Sequence, residues 1–251
     1  MDSSAATHAI VVCGHAVYLG GRNLSPTEAT DPSNWALLTF QHTETAEFIN
    51  HVRKGVSLAS QDPKSLLIFS GGQTRAPHLL SEAQGYHDIA LLHRFWGHEG
   101  VAARTTTEEF SRDSYDNVVF GIARFFECTK RFPDRLTTVS WPFKEQRFQF
   151  HVRSIKWPNS RFNFLGVGVP SDKQVAVRAA RITMSEFEQD PAGYGHILGE
   201  KKQSRNPFQR QNGYAISCPA MTKVLDWKGP EELASSCVPW AWKDSDNKEE
   251  S

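Results

Sequence analysis

Short apolar runs alternate along the chain with longer segments in which apolar residues recur at helical spacing. Ala9-Ile10-Val11-Val12-Cys13 is continuously apolar and stops at Gly14, the pattern of a strand buried on both faces. From Glu44 to Ser60, the residues Phe48, Val52, Val56 and Ala59 form one inward stripe, which predicts a helix. Leu66 to Phe69 reads as a second strand and runs into Ser70-Gly71-Gly72. Ser81 to His98 predicts a helix that turns Ala83, Ile89, Ala90 and Leu92 inward, and Val101 to Thr107 predicts a short third strand. Ser114 to Arg131 carries Tyr115, Val118, Val119, Ile122, Phe125 and Phe126 on one broad helical face. A strand from Leu136 to Trp141, a helix from Phe143 to Lys156, a strand from Phe162 to Val169 and a helix from Asp172 to Glu188 complete the series.

Five strands alternating with five helices is the signature of an α/β fold: a Rossmann-like open parallel sheet with helices on both faces. Parallel neighbours need crossover connections, and the helices supply them. The pattern assigns residues 1–188 to this domain. Beyond Glu188 there is no long periodic element. Residues 189–243 read as an extension packed back on the domain, because Trp240 and Trp242 would otherwise leave a large apolar area in water. Asp244 to Ser251 is polar and reads as a frayed tail.

Composition narrows the function classes. The 251 residues carry 28 Lys and Arg against 28 Asp and Glu, so the net charge is zero. A general nucleic-acid binder needs a basic excess to neutralise phosphates, and none is present. The four cysteines, Cys13, Cys128, Cys218 and Cys237, are far apart, which indicates neither a zinc ribbon nor a disulfide framework. No apolar run approaches the roughly 20 residues of a membrane span. Met1 to Ala6 lacks the basic and apolar character of a signal peptide, and Asn23-Leu24-Ser25 is then a chance sequon. The expectation is a cytoplasmic protein with reduced thiols and no membrane partner.

In such a sheet, ligands bind at the carboxyl ends of the strands, so the residues after each strand are the candidates. After the first come Gly14 and His15, opening a connection of about 25 residues whose Tyr18, Trp35 and Phe40 suggest an ordered lid. After the second, Gly71 and Gly72 would bring backbone N–H groups close to an anion, beside a helix start, and Arg75 offers a fork for phosphate or carboxylate. After the third comes a polar run, Glu108 to Asn117, in which Ser111, Asp113 or Ser114 caps a helix and leaves other groups, Asn117 among them, at the sheet edge. After the fourth come Ser140, Lys144 and Arg147. The two cations share a face at a helix start, where they oppose the helix dipole unless an anion or carboxylate is near.

Other chemistries are weaker. There is no dinucleotide fingerprint after the first strand and no Gly-x-Ser-x-Gly elbow, and Cys13 at the end of a buried strand reads as an inert thiol. His87, His93 and His98 have no i,i+4 spacing and suggest no metal site.

Taken in order, these turns resemble the YdcF/SanA/ElyC-like family, a domain of unknown function. The resemblance rests on Gly14, Ser70-Gly71-Gly72, Ser81-Glu82-Ala83, the run from Glu108 to Asn117, and Val139-Ser140 through Arg147, and covers about residues 8–170. Asp113, Ser114 and Asp116 stand where the family pattern has Asn, Thr and Glu, and Lys144 stands where many bacterial members have His. The tail with Lys201, Lys202 and Arg205 lies outside the bacterial pattern and reads as a eukaryotic elaboration. The resemblance implies a Rossmann-like fold and an anion-friendly pocket.

Three functional readings follow. In the first, Gly71, Gly72, Arg75, Lys144 and Arg147 hold an anionic small molecule, nucleotide-like (an adenosyl compound, for example) or phosphorylated. Glu82 and Glu108 are then the candidate acid/base groups. In the second, residues 190–243 dock a protein partner and there is no catalysis. In the third, the protein is a phosphate-ester hydrolase working without a covalent intermediate.

Overall fold

The computed structural model describes residues 5–240. The expected frayed tail from Asp244 lies outside the described residues, as does Trp242. The elements in chain order are β1 (His8–Cys13), β2 (Val17–Tyr18), β3 (Trp35–Ala36), α1 (Thr45–Gln61), β4 (Ser65–Ser70), α2 (Glu82–Leu92), α3 (Glu99–Ala102) and β5 (Thr105–Glu108). They continue with α4 (Ser114–Thr129), β6 (Arg135–Ser140), α5 (Glu145–Ser154), β7 (Phe162–Gly166), α6 (Lys173–Gln189), α7 (Gly199–Ser204), α8 (Tyr214–Ser217) and α9 (Thr222–Asp226).

The main sheet has five parallel strands in the order β5-β4-β1-β6-β7. This is the open α/β sheet that the alternation of patterns implies. The chain builds outward from β1 through β4 to β5, then crosses back to β6 on the other side of β1. The direction of winding therefore reverses between β1 and β6, and the connections leaving those strands diverge and open a crevice.

Side-chain alternation along β1 feeds two cores. Ala9, Val11 and Cys13 face α4 and α5, together with Ile122, Phe125, Phe148 and Val152. Ile10 and Val12 face α1 and α2, together with Phe48, Val52, Val56 and Tyr86. All six residues of β1 are buried, which explains its unbroken apolar run. Tyr18 and Trp35 belong to the second core and pair β2 with β3, so the long connection after β1 is anchored by its aromatics. Phe40 alone of the three expected lid aromatics is exposed, at 65%.

Two predicted elements divide differently. The helix expected through His98 ends at Leu92, and the chain turns through left-handed backbone at Phe95 and Trp96, each with φ 49°. That reversal inserts Phe95 into the core. The strand expected from Val101 begins only at Thr105. Glu99–Ala102 is a short helix whose inward residue is Val101. Both errors share a cause, since a single buried apolar residue at a turn resembles one more step of a periodic stripe.

The segment after Glu188 contributes to the first core through Ala192, Leu198, Tyr214, Met221, Val224 and Trp240. The Trp240 indole donates to the carbonyl of Ile155 at 2.9 Å and its ring tilts against Trp157. The aromatics Tyr214 and Trp240, part of the surface expected to dock a partner, are thus committed inside the molecule. Among the described residues, no helix is long and apolar enough to cross a membrane.

Candidate functional site

The crevice between the connections of β1 and β6 opens into a cavity of about 560 Å³. Its wall receives Gly14 and His15 after β1, Arg75 and Glu82 after β4, and Ser111, Ser114 and Asn117 after β5. Ser140, Lys144 and Arg147 follow from β6. Ten of the thirteen residues proposed from sequence therefore meet in one cavity. The other three, Gly71, Gly72 and Glu108, lie behind its wall.

The glycines do not form the anion nest expected of them. Their amides are already bonded to backbone, Gly14 to Ser70 O at 2.7 Å, Gly71 to Glu108 O at 2.9 Å and Gly72 to Ser111 O at 2.7 Å. The first amides of α2 are occupied too, Glu82 by Gly72 O, Ala83 by Gly71 O, and Gln84 by the Ser81 hydroxyl. The glycines are needed for another reason. A Cβ on Gly14 or Gly71 would stand 2.6 or 2.7 Å from the Glu82 Cβ, and one on Gly72 would stand 2.7 Å from Ser111 O. They let Glu82 lie across the ends of β1 and β4, where it accepts from the Thr74 hydroxyl at 2.6 Å.

Glu108 also differs from its expected role. It closes β5 opposite Ser70 in register and is 1% exposed. Its carboxyl accepts from the Phe110 amide at 2.7 Å and the Tyr214 hydroxyl at 3.1 Å, and the Ser111 hydroxyl donates to it as well. Burial pushes the carboxyl up, against those hydrogen bonds. The Ser70 hydroxyl lies 2.8 Å from Glu108 Oε2 and 2.7 Å from Asn117 Oδ1, with one proton for two acceptors. Glu108 orients Ser70 and Ser111 from behind, Ser70 in turn meeting Asn117, and does not itself line the cavity.

At the switch point, His15 sits between Ser140 and Lys144. Its Nε2 is 3.3 Å from Ser140 Oγ and its Nδ1 is 3.2 Å from Lys144 Nζ. Burial, reinforced by Lys144, holds the imidazole well below its ordinary range, so it is neutral. A neutral ring that accepts from an ammonium at Nδ1 carries its proton on Nε2, directed at Ser140. Burial brings the Lys144 amine itself down to about 7, with Arg147 next in effect. Lys144 is only half-buried because it faces the cavity, yet the surrounding protein removes most of the bulk water that would favour its charge.

Seven Lys and Arg line the cavity, Arg75, Arg112, Lys144, Arg147, Lys201, Lys202 and Arg205, against four carboxylates, Glu44, Glu82, Asp113 and Asp172. Asp116 and Glu186, just outside the lining, pair with Arg112, Lys202 and Lys201, which leaves Arg75, Lys144, Arg147 and Arg205 without a carboxylate in ion-pair distance among the described residues. The cations fall into two groups. Lys202 is 2% exposed and fully matched, with its ammonium 3.0 Å from Asp113, 2.8 Å from Asp116 and 2.9 Å from Ala192 O, over the Tyr194 ring. Arg147, by contrast, has no carboxylate within ion-pair distance among the described residues. Its buried Nε has no hydrogen-bond partner, and its guanidinium stands 6.0 Å from the Phe187 ring. Burial brings it down to about 10. The Nε of Arg75 is likewise buried and unpartnered.

The chain is 27% identical over 234 aligned residues to the uncharacterized protein YOR238W of Saccharomyces cerevisiae, with 73% of this chain and 77% of that protein covered. That relative is itself without an assigned function. No family model matches the chain, and no solved structure does. Function must therefore be argued from the cavity.

Two features went unforeseen from sequence. Lys202 and Arg205 reach the cavity from α7 and the residue after it; the only signal was a basic cluster in a segment without periodicity. The second is a contact between Ser114 Oγ and His151 Nε2 at 2.8 Å. That spacing suits a nucleophile and its base, but His151 Nδ1 is buried without a partner. No carboxylate orients the ring, and burial holds it well below its ordinary range, so the pair lacks the third member of a triad.

Cys13 also lines the cavity, and burial pushes its thiol up to about 12 despite nearby Lys144 and Arg147. It is a thiol at neutral pH. Alkylation by iodoacetamide at pH 7.5, followed by peptide mass spectrometry, is expected to leave Cys13 unmodified while half-buried Cys128 and Cys237 react. Rapid labelling of Cys13 would show an activated thiolate.

Proposed function

We propose that the protein binds an anionic small molecule, phosphorylated or nucleotide-like, in the cavity at the carboxyl ends of the parallel strands. The observation that carries this reading is Arg147, a half-buried cation whose buried Nε has no hydrogen-bond partner and which has no carboxylate within ion-pair distance among the described residues, beside Lys144, whose ammonium meets only the His15 ring. A cation taken out of water without a counter-ion costs several kcal/mol, a cost that a bound anion offsets. Arg75 and Arg205 add charge to the same space, and Glu82, on the wall beside Thr74, is the candidate group for exchanging a proton with the bound molecule. The resemblance to the YdcF/SanA/ElyC-like family fits this reading and is proposed along with it.

The test is a calorimetric titration with sulfate, which keeps its charge from pH 6 to pH 9. Lys144 is a cation below about 7 and neutral above it, so affinity is expected to fall as pH rises through that value. Bound sulfate favours the ammonium, so binding near pH 8 takes up a proton. Buffers of different ionisation enthalpy reveal that uptake. His15 and His51 contribute nothing to this window, because both are held well below it. Lys144→Arg is expected to flatten the profile. An affinity that does not change with pH in the unmodified protein would remove Lys144 from the site.

A further inference from the structure

The helix α6 lies along the cavity with an unusual face. Val175, Ala176, Ala179, Ala180, Thr183 and Phe187 line the space, yet only Phe187 among the helix's residues is buried. An amphipathic helix ordinarily buries its apolar stripe against the core. Here the stripe faces a void. From Val175 to Phe187 is about 18 Å along the axis at about 1.5 Å per residue. The two ends of that length differ in chemistry. Beside Phe187 stands the unpaired guanidinium of Arg147. Near the start of α6, Ser171 approaches Phe40 and Glu44, and there the wall is Leu38, Phe40 and Val175, exposed by 41%, 65% and 63%.

Two independent observations thus meet in one cavity, an arginine whose buried Nε has no partner at one end and uncovered apolar side chains toward the other. We infer that the ligand is a phosphate ester of an apolar group, with the phosphate at Arg147 and Lys144 and the apolar group lying under α6 toward Leu38, Phe40 and Val175. This rests on the anion-binding reading and narrows it from any small anion to an amphiphilic one. Gly168, with φ 85°, stands between β7 and α6 where other residues are strained, and a Cβ there would stand 2.8 Å from Glu47 Oε2.

The experiment compares inorganic phosphate, a nucleoside monophosphate and octyl phosphate by calorimetry on the full chain, with octyl phosphate kept below its micellar range. At least one ester is expected to bind about tenfold or more tightly than inorganic phosphate, because it covers apolar wall that phosphate leaves wet. A preference for the nucleotide identifies a planar group and a preference for the octyl ester a hydrocarbon. Ala179→Gln, which adds a polar group and no charge, should remove the preference. Val175→Gln, at a position already exposed in the first turn of α6, should do the same without risk to the fold. Phosphate binding with no gain from either ester, or a gain that survives both substitutions, overturns this inference alone. Failure of phosphate and both esters to bind overturns the anion-binding reading itself.

Discussion

Replacing Arg147 with methionine is expected to raise the melting temperature of the ligand-free protein by about 2–4 °C while weakening anion binding about 30-fold or more. The two signs come from one cause. The folded protein half-buries this side chain with no carboxylate in ion-pair distance among the described residues, and its position in α5 opposes the helix dipole. A methionine of similar length fills the space against Phe187 and removes the desolvated charge. A bound anion loses that charged contact, and loss of a contact of this kind costs about 2–5 kcal/mol. Differential scanning calorimetry and a sulfate titration on the same variant check both halves. A lower melting temperature with unchanged affinity would make Arg147 a structural residue.

Lys202→Met is expected to act in the opposite direction and more strongly. Lys202 ties the segment after α6 to the start of α4 through Asp113 and Asp116, with neither carboxylate more than 3.0 Å away. Burial alone would push the Asp113 carboxyl up; Lys202, with the Asp116 amide, more than offsets this and holds it below its ordinary range. Without the ammonium, two carboxylates face each other in the interior, at a cost of about 3–5 kcal/mol, which lowers the melting temperature by about 10 °C. The loss should shrink at lower pH. The variant's folded state would hold a proton that the unfolded chain releases above about pH 4, so its stability rises relative to the parent as pH falls toward 5. Thermal melts at pH 5 and pH 8 give the comparison, and an equal loss at both would show that lost packing dominates.

The contrast between these cations explains what could be read from the chain alone. Lys144 and Arg147 were legible because both sit at one helix start, where local electrostatics already argue for a nearby anion. Lys202 and Arg205 were not, because their meaning depends on the folding of an aperiodic segment back over α4, a long-range event with no local pattern. The strands and helices were legible from their two periods, while the order β5-β4-β1-β6-β7 needs the pairing itself. Gly71 and Gly72, expected as an anion cradle, and Gly14, expected at the pocket, all owe their small size to packing. A glycine at a strand end marks a close approach, but only the coordinates show that the approaching group is the Glu82 side chain at two of them and the backbone of Ser111 at the third. Glu108 was misplaced by its position as the last residue of β5, since side-chain direction there depends on strand register.

If stability is followed with pH in the absence of ligand, the same cluster leaves a trace. Lys144 loses its proton near 7 when folded but near 10.5 when unfolded, so between those values the unfolded chain binds more protons and stability rises with pH. Relief of one unpaired charge in the cavity is the physical source of that rise.

The most direct measurement is a crystal structure of the protein grown or soaked with tungstate, a phosphate-sized oxyanion easily located by its electron density. The account predicts one tungstate inside the cavity, its oxygens within about 3 Å of the Arg147 guanidinium and the Lys144 ammonium. Full occupancy of outer-surface lysines with only ordered water between Arg147 and Lys144 would contradict it.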